Sequence, residues 1–152
     1  MNLHTVSIAR AWCTAFRDDR SIQNFAQERY GRAFSLFLGV DMRRGPDEMD
    51  TPFIVVFPDA ANTGSQRASN SFELSLVVGL FNENIPEIDG ISQLSGVVEL
   101  DELCPLLEKA MRMALPAARV QNVSVEYDIL QFPLIMAQVS VTVEETLPIG
   151  RR

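Results

Sequence analysis

The side chains that could perform nucleophilic chemistry are few and far apart in this sequence. His4 is the single histidine, and Cys13 and Cys104 are the two cysteines. A Ser–His or Cys–His catalytic arrangement would have to recruit His4, which we expect to lie in a frayed N-terminus. Cys104 is expected near the start of a helix, where the positive end of the helix dipole could lower the pKa of its thiol. A buried structural thiol is the competing interpretation for both cysteines.

Metal and cofactor sites also lack their usual residues. One histidine and two distant cysteines exclude the common zinc patterns, and the sequence contains no GxGxxG or Walker A motif. Asp41, Asp47, Glu48 and Asp50 could gather around a cation, although a solvated acidic loop is the simpler interpretation. We therefore expect no metal, no cofactor and no catalytic residue, and we do not expect an enzyme. Two carboxylates brought together by folding would leave no local trace.

Composition indicates one globular domain that covers residues 1–152. The chain is 47% hydrophobic and 22% charged, and no apolar run approaches the roughly 20 residues that span a bilayer. A signal-peptide pattern is absent from the N-terminus. The net charge of −7 argues against non-specific nucleic-acid binding, which needs cations to displace counterions from phosphates. We expect a soluble protein in a reducing cytoplasm, without direct binding to nucleic acid or membrane.

Hydrophobic spacing predicts two short amphipathic helices in the first thirty residues. Apolar residues such as Ile8, Trp12 and Ala15 recur at spacings of three and four. Ser21 is a candidate N-cap for the second helix. Gly31 is expected to end that helix, because glycine readily adopts the left-handed conformation of a C-cap.

Three strands are predicted to follow the two helices. Apolar residues alternate within residues 33–40 and again within residues 72–80. Residues 53–57 form a continuous apolar, partly β-branched run, which is typical of a central strand covered on both faces. Residues 59–70 have no apolar period, so they are predicted to form a mobile loop.

The C-terminal half is predicted to contain one long helix and a β-hairpin. After an irregular excursion at residues 82–96, the helix is expected to open near Asp101, with Pro105 in its first turn. Alternation in residues 123–129 and 138–144 predicts antiparallel strands that turn near residues 131–133. The order α-α-β-β-β-α-β-β predicts an α+β fold: a mixed, mainly antiparallel β-sheet flanked by N-terminal helices and one long helix.

The N-terminal half resembles a family of phage proteins. The resemblance is carried by residues 22–32 (IQNFAQERYGR), 37–41 (FLGVD) and 51–58 (TPFIVVFP), with Gly45-Pro46 in the polar loop before the last segment. With the predicted order of elements, these segments look like the tail terminators and minor tail proteins of tailed bacteriophages and prophages. Such proteins form rings, commonly hexamers, on the last ring of the tail tube. They stop tube polymerisation and present a surface to the head connector.

The resemblance implies a non-enzymatic assembly subunit that is made in the bacterial cytoplasm and ends in the virion tail. Its partners would be other copies of itself, the tail tube protein and head–tail connector proteins. Exposed polar loop residues are the candidate contacts: Arg43, Arg44, Asp59, Asn62, Gln66, Arg67 and Asn70. Two other classes of function stay open. One is a small homo-oligomeric adaptor or ligand-binding protein, and the other is an enzyme that uses dispersed carboxylates or Cys104.

Overall fold

A computed structural model describes residues 3–41, 43, 45–64 and 69–146. Within these residues the chain forms three α-helices, one short 3-10 helix and seven strands. They are α1 (Thr5–Asp18), α2 (Arg20–Tyr30), β1 (Ser35–Leu38), the 3-10 helix (Glu48–Asp50), β2 (Phe53–Asn62), β3 (Ser69–Phe81), β4 (Glu87–Ile88), β5 (Ile91–Ser92), α3 (Ser95–Ala114), β6 (Ala118–Asp128) and β7 (Leu134–Thr146). The α+β class predicted from the sequence is confirmed.

Five strands form the main sheet in the order β1-β2-β3-β7-β6, while β4 and β5 form a separate small hairpin. β1 and β2 run parallel, and the other neighbouring strands run antiparallel. The long central strands β3 and β7 pair over their whole length, from Ser69 opposite Thr146 to Phe81 opposite Leu134. It follows from these directions that β1 and β6, at the two edges of the sheet, run antiparallel to each other.

The main core lies between one face of the sheet and the three helices. Side chains alternate along a strand, so every second residue of β3 and β7 points toward the helices. The largest fully buried side chains of this layer include Trp12, Phe16, Ile22, Leu76 and Leu103. The stripe predicted for α1 is confirmed, because Ile8 and Trp12 are both buried.

A smaller core lies on the opposite face of the sheet. Phe53, Val55 and Leu134 are buried there, and Met136 packs against them. Phe53 lies directly opposite Gly79, and a Cβ atom at residue 79 would collide with the Phe53 ring. The absence of a side chain at Gly79 therefore leaves room for the Phe53 ring beside this residue.

Two predicted features of the N-terminal half need correction. Asp19, not Ser21, is the N-cap of α2, and its Oδ1 accepts a hydrogen bond of 3.0 Å from the Ile22 N–H. Residues 59–70 are not one long mobile loop, since β2 continues to Asn62 and β3 begins at Ser69. Backbone pairing between these two strands extends the hairpin past the point where the side chains become exposed. Gly31 ends α2 in the left-handed conformation, as predicted.

The start of the long helix was also predicted wrongly. α3 begins at Ser95, so Pro105 lies in its middle instead of its first turn. The Pro105 ring is exposed, and on the solvent side of a helix a carbonyl that loses its partner can bind water. Residues 82–96 were predicted to be irregular, and they contain the small β4–β5 hairpin. The antiparallel β6–β7 hairpin and its turn are confirmed.

Candidate functional site

The two thiols are neutral side chains in half-buried positions. Burial, together with the carboxylates of Asp101 and Glu108, raises the pKa of Cys104 to about 11. Cys104 lies in the middle of α3, so the expectation of a pKa lowered by a helix N-terminus is wrong. Burial also raises the pKa of Cys13, whose Sγ lies 3.9 Å from the carbonyl oxygen of Phe37. Neither side chain has the thiolate character that nucleophilic chemistry uses near neutral pH.

His4 lies at the exposed start of α1, where its backbone is tied to Ser7. The Ser7 hydroxyl donates to the His4 carbonyl oxygen at 2.7 Å, and the His4 N–H donates to Ser7 Oγ at 2.9 Å. The second bond gives a partner to the His4 N–H, which the start of a helix leaves without an intrahelical acceptor. His4 therefore has a structural role as the N-cap residue that begins α1.

The acids of the loop between β1 and β2 are used in local contacts. Asp41 forms an ion pair with Arg43 at 3.0 Å. Asp47 accepts a hydrogen bond from the Met49 N–H at 2.9 Å, and its own N–H donates to Asp50 Oδ2 at 3.1 Å. Across residues 3–41, 43, 45–64 and 69–146, no group of three or more His, Cys, Asp or Glu side chains is arranged to hold a metal ion.

A partly buried polar cluster around Glu99 was not foreseen from the sequence. Glu99 Oε1 accepts hydrogen bonds from Tyr30 Oη, at 2.8 Å, and from Asn82 Nδ2. Its Oε2 lies 3.3 Å from Arg29 Nε. Burial, and then the Glu99 carboxylate, raise the pKa of Tyr30. The cluster joins α2, α3 and the end of β3, and no local pattern could reveal it because its members come from distant segments.

The four candidate contact residues that the structure describes lie in different settings. Arg43 is exposed beside Asp41, and Asp59 and Asn62 are exposed on the last part of β2. Asn70 is half-buried within β3, where its Nδ2 donates to Glu145 Oε1 at 3.1 Å, so its assignment to a mobile loop was wrong. The remaining three candidates lie outside the described residues: Arg44, Gln66 and Arg67.

One end of the main sheet carries a set of exposed apolar side chains, which we call the apolar end. It consists of Ile85, Ile88, Ile91, Ile129, Leu130 and Phe132. Three of these residues belong to the segment after β3 and three to the turn before β7. The first segment begins after Phe81, the last residue of β3, and the turn ends at Leu134, the first residue of β7. Phe81 and Leu134 are paired, and the Asn82 N–H donates to the Pro133 carbonyl oxygen at 3.0 Å. Leu130 is 93% exposed.

A cleft of about 610 Å³ lies between the end of β1 and the loop that leads to β2. Its apolar wall is formed by Phe37, Val40 and Met49. Asp41, Asp47 and Asp50 line the cleft as well, so its rim is acidic. Such a cleft could accept a small cationic or polar ligand.

Comparison with known proteins adds no family assignment. No protein-family model matches the sequence, and no curated protein is significantly similar to it. Among the described residues, no helix is both long enough and apolar enough to cross a membrane.

Proposed function

We propose that this protein is a non-enzymatic tail-assembly subunit of a phage or prophage. In this role it forms a ring as a tail terminator, or as a related neck or minor tail component, which caps the tail tube and joins it to the head connector. The subunit acts in the bacterial cytoplasm during assembly and remains in the virion tail. It needs other copies of itself, the tube protein and connector proteins as partners, without direct contact to nucleic acid.

The apolar end is the observation that carries this proposal. Monomeric proteins rarely expose a large group of apolar side chains unless they use it for binding. Here the side chains lie on two connections that are tied together at Asn82 and Pro133, next to the rigid ends of β3 and β7. Glu83, Glu87 and Asp89 are exposed in the same segment as the isoleucines. Protein interfaces usually combine apolar and polar side chains.

The order of elements and the chemistry of the thiols support the same role. A tail-assembly subunit requires a firm sheet that presents contact surfaces, and the central strands β3 and β7 pair along their entire length. Catalysis by Cys104 is disfavoured because its raised pKa keeps the thiol neutral near pH 7. These features fit a protein whose activity is assembly.

Binding to tail tubes tests the proposal. Tubes assembled from the tube protein of the same phage genome would be mixed with the purified chain, sedimented and imaged by negative-stain electron microscopy. We expect the chain at tube ends, and we expect Leu130→Asp combined with Ile91→Asp to weaken this binding at least about tenfold, which corresponds to 1.4 kcal/mol.

Met113→Asp is the matched control, because Met113 is an exposed apolar residue on α3 and does not belong to the apolar end. Binding by this variant should equal that of the unmodified chain. A chain that never associates with tubes would contradict the assembly role. Equal binding by the double variant would show that the apolar end is not the docking surface.

A ligand-binding function is the second candidate, and the 610 Å³ cleft favours it. The cleft has the volume of an ordinary small-molecule site. Its acidic rim would select cationic ligands such as polyamines. A thermal-shift measurement with spermidine, compared with sodium chloride at equal ionic strength, would detect this function. Asp47→Asn is expected to remove a specific shift.

A further inference from the structure

The segment between β3 and α3 forms an arm that is exposed along its length. All ten residues from 83 to 92 are exposed, and we call these residues the arm. Ile85, Ile88 and Ile91 of the arm make up half of the apolar end. These isoleucines can serve a docking surface only if other contacts hold the arm in place.

The arm is a formed hairpin with a short ladder. Glu87 pairs with Ser92, and Ile88 pairs with Ile91. The turn residues Asp89 and Gly90 both have positive φ values, of 55° and 78°, as two-residue hairpin turns prefer. Two residue pairs are too few to fix a hairpin, because isolated two-stranded hairpins are marginally stable in water. The arm therefore depends on contacts at its base.

Backbone hydrogen bonds close the base of the arm. The Gln93 N–H donates to the Pro86 carbonyl oxygen at 2.9 Å, and the Ser95 N–H donates to the Asn84 carbonyl oxygen at 3.1 Å. These bonds hold the two halves of the arm together. They join the arm to itself and to Ser95, the first residue of α3.

Asn82 follows the last residue of β3, and it contacts three separate segments. Its backbone N–H donates to the Pro133 carbonyl oxygen, in the turn before β7. Its side-chain Nδ2 donates to Glu99 Oε1 in α3, and its Oδ1 accepts from the Asn84 N–H at 2.9 Å. Both contacts set the orientation of the amide, since a flipped amide would place an oxygen against a carboxylate. One side chain thus joins the arm to α3.

Glu99 is a firm anchor for this contact. Its side chain is 14% exposed, and Oε1 also accepts a hydrogen bond from Tyr30 Oη. Glu99 lies four residues after Ser95, so both attachment points of the arm lie on one face of α3. Gly96 is buried between them, and a Cβ atom there would collide with the Ile135 side chain. The start of α3 is therefore packed closely on β7.

We propose that Asn82 is the positioning residue of the apolar end, which rests on the proposed function as a tail-assembly subunit. Its amide holds the arm against α3, so that the arm and the turn before β7 present one surface of fixed shape. Docking of a preformed surface costs less conformational entropy than docking of a loose arm. Without the amide, the arm keeps its apolar side chains and loses its orientation.

Asn82→Ala tests this assignment, because it removes both side-chain bonds and keeps the backbone N–H that bonds Pro133. The amides of Asn84, Gln93 and Ser95 report on the base of the arm, and NMR would follow their hydrogen exchange. We expect these amides to exchange at least about tenfold faster in the variant, through local opening of the arm. Thermal unfolding would establish that the variant is folded.

Asn82→Asp is a second variant of nearly the same shape. Its side chain still accepts from the Asn84 N–H, but its carboxylate repels Glu99 where the amide donated to it. The amides of Gln93 and Ser95 should again exchange faster at neutral pH.

Two matched controls separate positioning from general stability. Tyr30→Phe removes the other donor from the same oxygen of Glu99 without changing the arm. Asn84→Ala removes an exposed amide of the same segment and keeps the backbone groups that bond Asn82 and Ser95. Exchange at the base of the arm should be unchanged in both controls, although Tyr30→Phe lowers the stability of the whole chain.

Sedimentation with tail tubes gives the second readout. Asn82→Ala should bind tubes at least about tenfold more weakly than the unmodified chain. Tyr30→Phe and Asn84→Ala should bind as the unmodified chain does, since neither releases the arm.

The assignment is overturned if the reporting amides exchange equally in the unmodified chain and in the Asn82 variants. It is also overturned if Tyr30→Phe releases the arm as much as Asn82→Ala does, if a released arm leaves tube binding normal, or if neither Asn82 variant folds. Failure of the tail role is separate. An unmodified chain that ignores tubes, while the Asn82 variants alone release the arm, would remove the tail role and keep Asn82 as the residue that positions the arm.

Discussion

Tyr30 Oη donates a hydrogen bond of 2.8 Å to Glu99 Oε1, and this bond joins α2 to α3 across 69 positions of the sequence. Arg29, the neighbour of Tyr30, approaches the other oxygen of the same carboxylate and also lies 4.1 Å above the Phe25 ring. The two helices are therefore held by side chains as well as by the core.

Tyr30→Phe should lower the free energy of unfolding by about 1–2 kcal/mol. The substitution removes one donor from the partly buried carboxylate of Glu99, and partial exposure keeps the loss near the lower end of the about 1.5–3 kcal/mol that a hydrogen bond to a charged group contributes. Urea denaturation would measure the change. Tyr127→Phe is the matched control, because its hydroxyl bonds Asp101 on the surface at 3.2 Å. A loss as large for Tyr127→Phe as for Tyr30→Phe would contradict a special role for the Glu99 cluster.

Cys104 should react slowly with iodoacetamide at neutral pH. Its pKa of about 11 lies above the value of 9.0 for an unperturbed cysteine, so the reactive thiolate forms only at high pH. In a Cys13→Ala variant, the rate of alkylation should rise with an apparent pKa near 11 while the chain stays folded. The same variant in urea is the control, where the rate should rise near pH 9. Fast alkylation of the folded chain at pH 7 would revive the enzyme hypothesis.

The same pKa predicts the direction of alkaline instability. The thiol of Cys104 binds its proton more tightly in the folded chain than in the unfolded chain, so its contribution to stability is complete below pH 9. That contribution should decline as the pH rises toward 11, since the unfolded chain ionises first. Urea denaturation at several pH values should show a shallower decline for Cys104→Ala. Parallel curves for the two proteins would argue against the raised pKa.

Gly79→Ala should destabilise the protein by about 1–3 kcal/mol, the usual cost of overpacking a core. The new methyl group would collide with the ring of Phe53, which is almost fully buried and has little room to move. Thermal or urea unfolding would measure the loss. Gly45→Ala is the control, since a Cβ atom there meets no neighbouring atom. Combining Gly79→Ala with Phe53→Leu should cost less than the sum of the two single changes, and full additivity would contradict the collision.

Local patterns in the sequence were sufficient to predict most of the architecture. The stripe through Ile8 and Trp12 predicted α1, and the turn near residues 131–133 separated the two antiparallel strands. These predictions succeeded because burial of one face imposes a period on the sequence. The α+β class followed from the order of the elements.

Features that depend on distant partners could not be predicted in this way. The last residues of β2 and the first residues of β3 are mostly polar or small, so their side chains show no apolar alternation. Backbone pairing between the two strands nevertheless keeps them in the sheet. The start of α3 was predicted near Asp101 instead of Ser95 because the first turn of this helix has neither an acidic residue nor a side-chain cap. The Glu99 cluster arises only when the fold brings remote segments together. The apolar end likewise depends on two connections that meet at Asn82 and Pro133.

Arrest of tail-tube growth tests the central claim most directly. Tube protein would be polymerised with and without this chain, and tube lengths and ends would be recorded by electron microscopy. If the protein is a tail terminator, tubes formed in its presence will be shorter and will carry one added ring of the chain at an end. Tubes that grow to the same length, with bare ends and with the chain left in solution, would contradict the proposed role.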